Sequence, residues 1–267
     1  MEKKREIRRL ITKMRPNVFS IQETKLEVVD DVLCRTLWGS DDVSYSFKLL
    51  VGALGGILTM WDSSVVDIWM SLILSNALIV KGKFIKNNVD FVMANVYAPC
   101  DNRGRQLLWN ELNILVQRYS TDAWCVLGDF NAVCSCEERR SRSTISGNDD
   151  FAPFNQFIDG NFLIDLPLCG RNFTWYRGDG LSMSRLDCFL LLEVWISVFP
   201  NCIQAALLRG LSDHCPIILT VDEQNWGPKP LRMLKCWPDI PDYFDFEKTF
   251  GRILVCLVGV VLFLRKS

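Results

Sequence analysis

A chain of 267 residues with 49% hydrophobic and 23% charged residues is long enough to bury one large α/β core or two small ones, and its composition excludes a disordered protein. A formal net charge of −1 excludes a bulk positive field for polyanions, so any nucleic-acid contact must rest on a local basic patch. The 11 cysteines are scattered, with Cys134 and Cys136 the one close pair, so no zinc-site spacing is present and the thiols read as reduced and buried in an intracellular protein.

The charged start Met1–Arg9 has no apolar run behind it, so a secretory signal is not expected. Ile7, Leu10, Ile11 and Met14 recur at three- and four-residue steps, which predicts a helix from Glu2 to Lys13 stopped by Pro16-Asn17. Val18–Gln22 reads as a short buried strand that delivers Glu23 at its end, and Glu27–Leu37 as a helix. From Ser44 to Ile85 the pattern is β: Ile57–Trp61 forms one strand, Val65–Val80 two strands with a turn, and Lys81-Gly82-Lys83 begins another turn. Phe91–Tyr97 is a buried strand ended by Pro99, and Arg103–Tyr119 an amphipathic helix with Leu107, Leu108, Leu112, Leu115 and Val116 on one face.

Trp124–Leu127 runs as a strand into Gly128-Asp129-Phe130-Asn131. Glu137–Asp150 reads as a surface loop, Phe151–Asn161 as a helix, and Phe173–Trp175 and Leu186–Leu190 as strands. Ile203–Leu208 and Ile217–Val221 close the β pattern. Interleaved helices and hairpins predict a mixed sheet sandwich flanked by helices rather than a doubly wound sheet. From Trp226 the prolines mark a linker, and Ile253–Leu264 is apolar throughout. As a helix that stretch would rise roughly 18 Å against about 30 Å of bilayer core, so a membrane span is not expected.

Five strand ends carry chemistry. Gly128-Asp129-Phe130-Asn131 sets a carboxylate and a carboxamide two positions apart, on one face of an extended chain. The first can orient or deprotonate a water, the second can hold a phosphoryl oxygen; an Asx turn uses the same residues. His214, the sole histidine, follows Asp213. Adjacent strand residues face opposite ways, so its carboxylate partner can lie elsewhere, and as an imidazolium it can stabilise a phosphorane or protonate a leaving oxygen. A lone histidine is more often structural. Gln22-Glu23-Thr24-Lys25 places a carboxylate suited to a hard divalent cation. Asn95-Val96-Tyr97-Ala98-Pro99 presents a phenol, and Ser184-Arg185-Leu186-Asp187 leads a strand with an acid.

Taken in chain order, from Gln22-Glu23-Thr24-Lys25 to Ser212-Asp213-His214, the five motifs resemble the endonuclease/exonuclease/phosphatase superfamily, the fold of DNase I and of apurinic endonucleases, over roughly residues 5 to 222. Their wording is most similar to the endonuclease module of plant LINE-type non-LTR retrotransposons. The resemblance implies a four-layer α-β-β-α sandwich of two mixed sheets. It implies a domain over 1–222, incomplete at its N-terminus, followed by a linker-like segment with an apolar tail over 223–267. Set against the family pattern, the first strand, which carries an Asn in a run like Asn-x-Arg-Gly, is expected to be missing, and the neighbouring strands are then expected to lack hydrogen-bond partners.

The implied activity is Mg²⁺-dependent phosphodiester hydrolysis, with Mn²⁺ as an alternative, and the implied partner is DNA, which the protein would nick. Glu23 would bind the metal with Asp213. Tyr97 and Asn131 would contact the phosphate, Thr174 the DNA. Asp129 would orient or deprotonate the attacking water, Asp187 support the site and His214 stabilise the transition state. A monomer with no protein partner is expected, nuclear if it cuts DNA. Two other readings stay open: a catalytically impaired retroelement relic, and a binding module that holds DNA on Arg103, Arg105, Arg139, Arg140 and Arg142 without cutting. Solvated loop charge explains those arginines equally well.

Overall fold

The computed structural model describes residues 2–50, 55–141 and 151–221. The linker, the apolar stretch Ile253–Leu264 and Arg142 lie outside them.

Helix α1 (Glu2–Met14) buries Ile7 and Ile11, one turn apart, and ends where Arg15 turns left-handed (φ 46°). Helix α2 (Asp31–Trp38) starts four residues later than the periodicity predicts, because Asp30 caps it by accepting from the Leu33 N–H at 2.8 Å. Both helices pack on Phe19 and Ile21 of β1 (Val18–Thr24) and, past β2 (Val43–Lys48), on Leu58 and Met60 of β3 (Gly56–Asp62). These strands form an antiparallel unit in the order β1-β3-β2.

Next come β4 (Val66–Ile73), β5 (Ala77–Phe84), β6 (Val89–Tyr97), α3 (Asn102–Arg118) and β7 (Ala123–Asp129). The turn predicted at Lys81–Lys83 is instead part of β5. Its partner β4 shifts register between Ile68 and Met70, beside Gly82, whose missing Cβ leaves room for the Asp67 carbonyl. The chain turns later, closing at Asn88 (φ 56°). The second half adds β8 (Arg139–Arg140), α4 (Ala152–Gly160), β9 (Ile164–Asp165), β10 (Leu168–Cys169), β11 (Trp175–Tyr176), β12 (Met183–Ser184), β13 (Asp187–Leu191), α5 (Glu193–Val198), β14 (Cys202–Ala206) and β15 (Ile217–Val221). The loop expected at Glu137–Asp150 thus begins at the end of a 3-10 turn (Cys136–Glu138), followed by a two-residue strand that pairs with β12.

A six-stranded mixed sheet runs β4-β5-β6-β7-β13-β9, parallel only between β6 and β7. Its outer face carries α3 and α4 through Leu108, Leu112, Val116, Phe154 and Phe157. Its inner face meets the other layer through Met93, Cys125, Leu127 and Phe189 against Val18, Ile217 and Leu219. Among the described residues that other layer comprises two three-stranded pieces, β1-β3-β2 and β10-β14-β15. The result is the predicted four-layer α-β-β-α sandwich. Among the described residues no helix is long and apolar enough to cross a membrane.

Candidate active site

Register builds one wall of the site. Tyr97 of β6 lies beside Asp129 of β7, and Asp129 is the cross-strand partner of Asp187 of β13. Laterally paired residues share a face, so three side chains singled out in the sequence line up at one end of the six-stranded sheet. Gly128 makes this possible: at φ 133° it lies so close to β6 that a Cβ would sit 2.0 Å from the Val96 carbonyl oxygen. Asn131 then turns left-handed (φ 46°). Its backbone N–H donates to Asp129 Oδ1 at 2.9 Å, and its amide donates to Asp129 Oδ2 at 3.1 Å and to the Ala98 carbonyl at 2.8 Å. Arg105 ties this loop down by donating to the Asn131 carbonyl at 2.9 Å. As placed, Asn131 orients Asp129, and it would have to release that carboxylate to hold a phosphoryl oxygen.

His214 reaches the same wall from the other layer. Its Nδ1 lies 2.8 Å from Asp187 Oδ2, with both residues buried. The carboxylate accepts, so Nδ1 carries a hydrogen. Thr174 fixes this pair. Its hydroxyl accepts from the Leu186 and Asp187 N–H groups, both at 3.0 Å, and its carbonyl accepts from Cys215 N–H at 2.6 Å. Thr174 is fully buried, so it supports Asp187 and His214 from behind and has no exposed surface for the DNA contact expected of it. Asp213 lines the cleft and accepts from the Trp175 indole at 3.2 Å.

Charge crowding shapes the wall. Burial, then the Asp187 carboxylate, push Asp129 up to about 7, against the pull of His214 and the Asn131 N–H. Burial alone would push His214 down, but Asp187, Asp129 and Asp213 together hold it above its ordinary value.

The opposite wall is Glu23. The β1–β3 register shifts between Ile21 and Thr24, and Glu23 stands at φ 50°. This bulge aims its side chain into the cleft. Beneath it Gln22 donates to the Asn95 side-chain oxygen, and Asn95 donates in turn to Thr59 Oγ1 (3.1 Å) and the Leu58 carbonyl (3.2 Å). That buried network joins the two sheets. Lys25 lies 3.9 Å from Glu23. Burial and Lys25 push the nearby Lys3 ammonium down, opposed by Glu23 and Asp213.

Glu23, Tyr97, Asp129, Asn131, Asp213 and His214 line one cleft of about 870 Å³, with Arg105, Arg139, Arg140 and Arg177 also on its walls. Asp187 stands behind it as the His214 partner, and Arg103 is exposed on α3 outside it. Glu23 and Asp213 both line the cleft and offer hard carboxylate oxygens, the donor type that could hold a divalent cation. Among the described residues a tighter acidic group, Cys134, Glu138 and Asp165, is already satisfied. The Arg185 guanidinium lies 2.7 Å from Glu138 and 2.5 Å from Asp165.

Gln22, Asn95, Trp175, Arg177 and Arg185 were not given roles from sequence. Gln22, Asn95 and Arg185 lay inside the quoted motifs, and a buried amide or guanidinium next to a site residue is the signal that was available.

A model of the Endonuclease/Exonuclease/phosphatase family matches residues 1–214. No curated protein matches. Among solved structures, the AP endonuclease LMAP from Leishmania major superposes with a TM-score of 0.62 at 16% identity, covering 79% of this chain and 80% of that one. The endonuclease domain of TRAS1, a telomere-specific non-LTR retrotransposon, gives 0.59 at 14% identity, covering 83% and 93%. A mannosyl-6-phosphatase from Bacteroides thetaiotaomicron gives 0.54 at 14% identity, covering 83% and 91%. At these identities the likeness is one of fold.

Proposed function

Because this chain belongs to the endonuclease/exonuclease/phosphatase family, whose members hydrolyse phosphoesters with a divalent metal, we propose that it is a Mg²⁺-dependent DNA endonuclease of the non-LTR retrotransposon type. One observation carries this reading: His214, Asp187, Asp129 and Tyr97 meet at one sheet end, facing Glu23 across a single cleft.

Asp129 is the water-activating group. Near neutral pH a carboxyl held at about 7 is present in both forms, so its carboxylate can accept a proton and return it. The Asn131 N–H and amide fix its two oxygens in one plane. His214, pinned through Nδ1 to Asp187, presents Nε2–H as an imidazolium to the phosphoryl oxygens as negative charge builds there. The Tyr97 phenol lies alongside Asp129, in place to contact the phosphate. Glu23 and Asp213 would hold Mg²⁺, or Mn²⁺, which when bound supplies charge neutralisation at the phosphate. Thr174 is a positioning residue for Asp187.

Arg139, Arg140 and Arg177 line the cleft beside Trp175 and favour an extended polyanion over a small phosphomonoester. The TRAS1 domain's likeness and the plant LINE-type wording support the retrotransposon assignment, and nuclear action follows if the protein cuts DNA. Supercoiled plasmid and mannose 6-phosphate, each offered with Mg²⁺, test the substrate class. The reading expects nicked plasmid and no released phosphate. Phosphate release without nicking would make the protein a phosphatase instead.

A further inference from the structure

Among the described residues, three of the four arginines on the cleft walls, Arg139, Arg140 and Arg177, belong to one small piece of the molecule. Arg139 and Arg140 form β8, and Arg177 follows β11. The piece is the sheet β11-β12-β8, and each of its strands is two residues long. Strand β8 lies at its edge, held by the pairs Met183–Arg140 and Ser184–Arg139. So short a ladder cannot fix two cationic side chains by itself.

Arg185 supplies an anchor. It follows β12, and its backbone N–H donates to the Glu138 carbonyl at 2.8 Å. Its guanidinium donates to Glu138 Oε1 at 2.7 Å, to Asp165 Oδ1 at 2.5 Å and to the Leu166 carbonyl at 3.2 Å. Glu138 immediately precedes Arg139, and its other oxygen accepts from the Cys134 N–H at 2.6 Å. Asp165 belongs to β9 of the six-stranded sheet. Gln204 of β14 donates to the same Leu166 carbonyl at 2.7 Å and accepts from Phe189 N–H of β13 at 2.6 Å. One guanidinium thus joins the arginine-bearing piece to both layers of the sandwich.

The side chains of Arg185, Glu138 and Asp165 are only 12%, 17% and 19% exposed, so solvent screens them little. A buried charged group of this kind costs desolvation and is a poor source of stability. What it supplies is geometry: the planar fork reaches two carboxylates at once, which a lysine cannot do. Arg185 itself is not on the cleft wall. The Asp187 N–H is held by Thr174, so the His214 pair does not depend on the guanidinium.

We propose that Arg185 is a positioning residue for DNA binding: through Glu138 and Asp165 it holds Arg139 and Arg140 in place for the phosphate backbone without touching it. Its effect on substrate rests on the endonuclease reading; the anchoring can be read without DNA.

Arg185→Lys keeps the charge and loses the fork. Hydrogen–deuterium exchange should become about tenfold faster or more in peptides covering Cys136–Arg140, with Cys125–Gly128 of β7 unchanged. In plasmid nicking KM should rise about tenfold while kcat stays within about twofold. The salt slope of DNA binding should fall by about two, one for each displaced arginine. Arg140→Ala, which weakens binding in the parent, should then add almost nothing in the Arg185→Lys background. Glu138→Gln should show the same signature at smaller size, and serves if Arg185→Lys does not fold. Unchanged exchange at Cys136–Arg140 would overturn the proposal. So would a fall in kcat at constant KM, or effects of Arg185→Lys and Arg140→Ala that multiply. A parent that does not nick would overturn the endonuclease reading and not the anchor, which faster exchange in Arg185→Lys would still support.

Discussion

The two walls of the cleft are built differently. Tyr97, Asp129 and Asp187 stand on three neighbouring strands of one continuous sheet, locked by backbone ladders, with Thr174 and Asn131 bonding behind and beside them. Glu23 stands on the bulge near the end of β1, joined to the six-stranded sheet through the Gln22–Asn95 network, and Asp213 lies in the loop that leads to β15, held by Trp175 and Tyr176. The proton-handling half is therefore preorganised by the sheet, while the cation-holding half depends on a bulge and a loop. Lesions in the first half should remove chemistry; lesions in the second should change metal demand.

The largest effect is expected on the rigid wall. Asp129→Ala or His214→Ala should each lower nicking by roughly 10²–10⁴-fold in protein that still folds, as circular dichroism would check. Parental rates in either variant would remove that residue from the mechanism. On the other wall, Glu23→Gln should raise the Mg²⁺ concentration for half-maximal rate by about tenfold or more, with much of the rate recovered at saturating metal. A loss that no Mg²⁺ concentration recovers would make Glu23 part of the rigid machinery and erase the contrast.

Thr174→Val sharpens it further. The Leu186 and Asp187 N–H groups would lose their shared acceptor, at about 1–3 kcal/mol each when buried. The expected signature is a lower melting temperature and kcat with KM nearly unchanged; a rise in KM alone would instead support a direct DNA contact. The His214–Asp187 pair predicts a pH signature. Its folded imidazolium titrates above the unfolded value of about 6.5. Its stabilisation is therefore complete below that value and lost as pH rises through the folded one. The difference in melting temperature between parent and Asp187→Asn should shrink from pH 6 to pH 9, and widening would contradict the pairing. Smallest of all, Arg140→Ala at the exposed cleft rim should weaken binding a few-fold and flatten the salt dependence, leaving kcat alone.

Much of this was legible in the sequence. Glu23, Tyr97, Asp129 and Asp187 each end or begin an apolar run, and a buried strand end is a local feature. His214 was legible for being the sole histidine, but its partner was not. Asp187 lies 27 positions away and reaches it only through the meeting of two sheets. The supporting bonds of Thr174, which the resemblance assigns to a DNA contact, and those of Arg185 are hidden for the same reason: they depend on register across loops, not on neighbours in the chain. Local pattern also misjudged Lys81–Lys83, where glycine between lysines suggests a turn but serves a bulge in the facing strand.

The most direct test of the whole account is nicking of supercoiled plasmid by the purified full chain with Mg²⁺, with Mg²⁺ plus excess EDTA, and by His214→Ala. Open-circle product in the first reaction and none in the other two is the predicted result. Equal nicking by His214→Ala, or nicking that persists in EDTA, would contradict it.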